Sequence, residues 1–212
     1  MDTNELIETL AADTRQPTAP LSFVWWGAAG LAIALAAVIF FATLGPRPDV
    51  AAAAETPRFL LKFVVTTTLG ASAFGLARGL SRPGEDWRAA APYLAGAAAL
   101  LAIAAFVELL LLPHGAWSAK LVGMNSMVCL AYIPLIGIGP LAIFLLALRH
   151  GAPTRPALAG AAAGLLAGSI AATFYAAHCT DDSPLFVATW YTIAIAGLAV
   201  LGAAGASRFA RW

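Results

Sequence analysis

Two cysteines, Cys129 and Cys179, are the side chains in this chain best suited to covalent or metal chemistry. The second stands in "HCTDDSP" (178–184), which sets His178, Asp181 and Asp182 beside a thiol. Thiolate, imidazole and carboxylate together suit a soft metal ion, and two thiols can be oxidised to a disulfide. A bridge requires α-carbons within about 7 Å, which spacing in sequence does not settle. Three readings therefore stand side by side. The cysteines are static, bridged or not; they sense an oxidant or a soft metal; or they form a catalytic disulfide centre. The last lacks the C-x-x-C spacing on which that chemistry usually rests. Two more ionisable groups, His114 and Glu108, belong to the same side of the chain's layout. Glu108 falls just before the end of an apolar run, where a carboxylate is costly unless it reaches water or a partner. It is expected to be hydrated. There is no Walker motif, dinucleotide fingerprint or H-E-x-x-H.

What must position these groups is a set of apolar helices. Of the 212 residues, 61% are hydrophobic and 11% charged, and mean hydropathy is +0.83. Soluble domains carry about twice that share of charge, so the lipid bilayer is the expected solvent. A hydrocarbon core about 30 Å thick needs about 20 apolar residues per helix. Six segments meet that length: 22–44, 60–79, 90–112, 125–148, 157–177 and 185–206. Short stretches rich in Gly, Pro or charge separate them, such as "RPGEDW" (82–87) and "RHGAPTRP" (149–156). Inside a bilayer each backbone must satisfy itself, which makes the fold all-α: a six-transmembrane-helix bundle over 22–212 with a short tail over 1–21. In the fifth segment, Gly160, Gly164 and Gly168 recur at every fourth position. Such a stripe lets a second helix approach closely, either within the bundle or across a homodimer seam. Thr66, Thr67 and Thr68 are expected to bond back to their own helix carbonyls.

Orientation follows from the Lys and Arg residues. Arg15, Arg78, Arg82, Arg88, Arg149, Arg155, Arg208 and Arg211 fall on the side of both termini; Arg47, Arg58, Lys62 and Lys120 fall on the other. The eight-to-four bias puts both termini in the cytoplasm and the two cysteines near the outer face. In a bacterial inner membrane that face meets an oxidising compartment. Net charge is +1 and there is no basic run, so nucleic acid is not an expected direct partner.

The tail, "TNELIETLAADT" (3–14), is acidic where a signal peptide would be basic, so it is expected to persist. Leu6, Ile7, Leu10 and Ala11 recur at helical spacing, and Glu5, Glu8 and Asp13 surround them. A helix over 4–13 is about 15 Å long, too short to persist alone in water. An interfacial membrane helix would carry Lys and Arg instead of acids. The stripe either stays loose or folds into the groove of a partner protein.

The combination of "ELIETLAADT", six spans and "HCTDDSPLFVATW" (178–190) resembles the NrsF-type family of bacterial membrane anti-sigma factors, the negative regulators of sigma F. The resemblance implies that the tail holds an extracytoplasmic-function sigma factor. It also implies that Cys129 and Cys179 sense a signal on the outer side. On this reading the protein is not an enzyme, and needs no cofactor beyond a disulfide or soft metal at the cysteines. The rivals are a thiol or quinone oxidoreductase of the inner membrane and a small transporter. A transporter would normally show ionisable groups deep in its spans, and only Glu108 comes close.

Overall fold

A computed structural model describes residues 2–5, 7–8, 20–84 and 87–209. Six helices in it are long and apolar enough to cross a membrane. They are α1 (Leu21–Thr43), α2 (Pro57–Leu80), α3 (Ala91–Leu111), α4 (Ser126–Leu148), α5 (Pro156–Ala176) and α6 (Pro184–Phe209). No strand occurs among the described residues. The helix starts follow local chemistry. Pro57, Pro156 and Pro184 each stand in a first turn, where the missing N–H costs nothing. The Thr56 hydroxyl accepts the Phe59 N–H at 3.4 Å and caps α2.

The apolar residues do not form one stripe, because these helices face protein on one side and lipid on the other. On α1, Trp25, Ala32, Ala36 and Phe40 are buried, while Phe23, Trp26, Leu31, Val38 and Phe41 are exposed. A helix apolar all round is the expected signature of a membrane span. α5 is the most enclosed span, packed on α6, α2 and α4; α1 lies against α4, and α3 leans chiefly on α2.

The glycine stripe of α5 explains its central place. A side chain at Gly160 would run into the Gly202 backbone, and one at Gly164 into the backbone of Leu198 and Ala199. Gly168 meets Ile195 in the same seam. Of the two uses open to these glycines, packing within the bundle is the one the structure shows. Close approach of α5 and α6 buries all three, so they are not open to a second copy.

Two short helices fall where only loops were expected. Val50–Ala53 follows α1, and Trp117–Val122 precedes α4. The second is pinned by indoles: Trp117 Nε1 donates to Leu112 O at 3.2 Å and Trp190 Nε1 to Leu121 O at 2.8 Å.

The helices alternate in direction. Residues 44–56, 112–125 and 177–183 thus share one face with the cysteines, and 81–84, 87–90 and 149–155 share the other with the start of α1 and the end of α6.

Candidate functional site: a clamped loop over two buried thiols

The 177–183 loop joins α5 to α6 and touches the ends of four other elements. Asp182 is its anchor. One carboxylate oxygen lies 2.5 Å from Lys62 Nζ and the other accepts from Arg47 Nη1 at 2.9 Å. Lys62 is almost wholly buried at 1% exposure, and it also donates to the Cys179 carbonyl at 2.8 Å. Arg47 donates its backbone N–H to Ala177 O at 3.0 Å, and its guanidinium holds Asp49 through two bonds of 2.7 Å. That pairing raises the Arg47 pKa and lowers that of Asp49, chiefly through the hydrogen bonds between them. His178 Nδ1 lies 3.0 Å from Gly45 O, a contact that needs a proton on Nδ1.

Asp181 works in the opposite direction, toward α4. Its Oδ2 accepts the backbone N–H groups of Met124 and Asn125 at 3.0 and 2.9 Å, and Asn125 Nδ2 at 2.8 Å. A carboxylate from another loop thus binds donors at the start of α4 that the helix itself leaves unpaired. Gly123 makes the approach possible. Its φ is +58°, and a Cβ there would strike Asp181 and Phe186.

Glu108 is not hydrated, as the sequence suggested, but buried at 3% exposure. Its Oε2 accepts the Ser183 hydroxyl at 2.5 Å and the Leu185 N–H at 3.1 Å. Arg58 Nη2 lies 3.4 Å from Oε1, at ion-pair distance without hydrogen-bond geometry. Ser183 stands at the cap position of α6, but its hydroxyl goes to Glu108. The carboxylate from α3 does the capping in its place.

Both cysteines, Cys179 in this loop and Cys129 in α4, are free and fully buried. Cys129 lies in the first turn of α4, and Tyr175 and Tyr191 pack in the same core with ring centroids 5.7 Å apart. Burial pushes the Cys179 thiol up; Lys62, the hydrogen bond with Asp181 and the nearby Tyr191 hydroxyl pull the other way and do not outweigh it. The thiol is thus held protonated at neutral pH, a poor nucleophile in its resting state.

The five residues considered as a soft-metal set do not converge. Asp182 is committed to Lys62 and Arg47, Asp181 to the start of α4, and His178 to Gly45. Among the described residues no three His, Cys, Asp or Glu side chains stand in metal-binding proximity. The carboxylates find cations and N–H donors closer than each other. Lys62 and Arg47, counted above only as outer charges, are central here. Lys62 carried a signal: an ammonium inside an otherwise apolar span needs a partner.

Of the tail residues, Glu5, Ile7 and Glu8 lie in a helical, solvent-exposed stretch. Leu6, Leu10, Ala11 and Asp13 lie outside the described residues.

Fold and site define a six-helix membrane protein with one connecting loop clamped by ion pairs at one membrane face. The chain belongs to the family described as "Negative regulator of sigma F", NrsF, whose model matches residues 10–212. It is 34% identical over 220 residues to the anti-sigma-F factor NrsF of Caulobacter vibrioides (strain NA1000 / CB15N), covering 100% of both chains. It is 34% identical over 223 residues, again over 100% of both, to the probable anti-sigma-F factor NrsF of Azospira oryzae (strain ATCC BAA-33 / DSM 13638 / PS). No solved structure matches the chain significantly.

Proposed function

We propose that this protein is a non-enzymatic anti-sigma factor of a bacterial inner membrane, with both termini cytoplasmic. Its tail captures a sigma factor of the extracytoplasmic-function type, with Leu6, Ile7, Leu10 and Ala11 as apolar anchors and Glu5, Glu8 and Asp13 around them. The observation that carries this reading is the match to negative regulators of sigma F over nearly the whole chain. The oxidoreductase rival fits less well, since a buried, protonated Cys179 is slow to exchange.

Release is proposed to start at Cys129 and Cys179. Both thiols are fully buried, Cys179 within the 177–183 loop itself, so an oxidant or soft metal must displace that loop to reach them. The loop is tied through Asp182 and Ala177 to Arg47, at the far end of the helix that carries the tail. Moving it therefore pulls on α1. A change of a few kcal/mol between two such states is enough to shift capture substantially.

Sigma-dependent transcription, normalised to the amount of membrane protein, tests both halves. Replacing Leu6 and Leu10 with Asp should leave transcription permanently on and abolish pull-down of the sigma factor. Cys129→Ser and Cys179→Ser should each leave capture intact and fix the output against oxidant and soft metal. A double Asp variant that still retains the sigma factor removes the tail from the mechanism. Wild-type responses in both Ser variants remove the sensor.

A further inference from the structure

Around the Cys179 thiol most polar groups are already committed. Lys62, from α2, is spent on Asp182 and on the Cys179 carbonyl. The Asp181 carboxylate is held by donors of Met124 and Asn125 at the start of α4. Tyr175, from α5, gives its hydroxyl to Asn125 O at 3.5 Å. The Cys179 S–H points at Asp181 O, 3.7 Å away, which leaves the sulfur lone pairs unclaimed. Cys129 of α4 and Tyr191 of α6 face the same thiol.

Tyr191 is the exception among them. Its side chain is 1% exposed, and its hydroxyl has no hydrogen-bond partner among the described residues. A buried phenol normally finds one, because an unmatched donor out of water is costly. The ring is held in place: the Tyr175 ring lies 5.7 Å away, and Phe186 meets it edge to face at 6.4 Å. The hydroxyl lies near the Cys179 sulfur without closing a hydrogen bond to it. Tyr191 also ends a π-helical turn, Val187–Tyr191, at the start of α6. Such turns occur frequently at functional sites.

A fixed ring, an idle donor and a neighbouring sulfur with free lone pairs form a prepared place for an anion. We propose that Tyr191 is a positioning residue that receives the Cys179 thiolate, an inference that rests on the sensing role proposed above. When the S–H proton leaves, taken up by outer water or displaced by a soft cation, the Tyr191 O–H turns onto the sulfur anion. A hydrogen bond to a charged acceptor is about twice as strong as a neutral one, so this donor acts chiefly in the ionised state. Cys179 stays within reach because its N–H is bonded to Tyr175 O at 3.0 Å, at the end of α5. The thiolate is the form that attacks an oxidant or ligates a soft metal.

The test follows the thiol in the folded full chain. In a Cys129→Ser background, with carbon-13 at the cysteine β-carbon and the protein in non-ionic detergent, the remaining cysteine signal titrates with Cys179 as pH rises. Tyr191→Phe should move that midpoint up by about one unit, or about tenfold less thiolate at a given pH. Tyr175→Phe, which removes a hydroxyl bonded to Asn125 O, should move it far less. The thermal midpoint of Tyr191→Phe should not fall, because the lost hydroxyl had no partner. A fall in thermal midpoint without a pH shift makes Tyr191 a packing residue only. An unmoved thiol midpoint overturns the proposal, as do equal shifts in the two Phe variants. If Tyr191→Phe does not fold, its parent decides. With carbon-13 at the tyrosine ζ-carbon, the Tyr191 signal should move at the Cys179 midpoint, and independent midpoints overturn the contact. None of these readouts involves a sigma factor. Wild-type transcription in the Cys→Ser variants would therefore remove the sensor, whereas an unmoved thiol midpoint would remove Tyr191 alone.

Discussion

Lys62 enters α2 as a charge that the apolar span should not tolerate, and its two contacts explain why it is there. Its ammonium neutralises Asp182 and satisfies the Cys179 carbonyl, 117 residues later in the chain. Removing one partner of a buried pair is worse than lacking the pair, because the survivor stays desolvated. Lys62→Met leaves the Cys179 carbonyl without this donor and leaves Asp182 to Arg47 alone. The expected loss is about 3 kcal/mol, or about 8 °C in the unfolding midpoint for a chain of this size. Lys62→Arg should not restore it, since a planar fork cannot replace a compact ammonium in a closed space. An unchanged midpoint for Lys62→Met would show that the pair contributes nothing. The Cys179 thiol adds a pH dependence in a stated direction. Its pKa is raised above the ordinary 9.0 by burial. That contribution is complete below about pH 9 and fades as pH rises further, because the unfolded chain ionises first.

At the scale of helices, the sequence made the spans legible and left their partners unread. Each run of about 20 apolar residues became a helix, because a bilayer admits little else. Nothing in composition says which helix a glycine stripe will face, since lipid and protein are equally apolar to it. Gly160, Gly164 and Gly168 face α6, with Gly202 opposite Gly160. Gly160→Ala should therefore separate α5 from α6 and cost about 3 kcal/mol, at the upper end for overpacking. Gly197→Ala, with nothing within 4 Å of its Cβ, is the matched control and should be tolerated. The pair distinguishes seam from dimer: unfolding curves of the monomer should move for Gly160→Ala alone, with oligomeric state unchanged. A loss of dimer with an unaltered monomer curve would contradict the packing described above. The same limit hid the trans caps. Ser183 stands at the cap position of α6, but Glu108 from α3 takes the Leu185 N–H because burial leaves it no water.

Across the whole molecule, polarity separates into two faces with different work. One carries the ion network that closes the 177–183 loop, with Arg47, Lys62, Glu108, Asp181 and Asp182 paired or capping. The other carries Arg78, Arg82, Arg88, Arg149 and Arg155 near the helix ends. Which face meets the cytoplasm decides what the buried thiols can encounter. Arg78, Arg82, Arg88, Arg149, Arg155 and Arg208 lie on the tail side, against Arg47, Arg58, Lys62 and Lys120 on the cysteine side. Flanking cations are retained in the cytoplasm, so this bias supports the proposed orientation with the tail inward. Lys62 strengthens it, because a residue buried within α2 counts less as a loop charge. A reporter enzyme active only outside the cytoplasm should then be silent when fused after Trp212 and active when inserted beside Thr180. A cytoplasm-restricted reporter should give the complementary pattern at the same two positions. The inverse result would put Cys129 and Cys179 in a reducing compartment and the tail out of reach of any sigma factor. Capture by the tail and oxidation at the thiols therefore stand or fall on this one orientation.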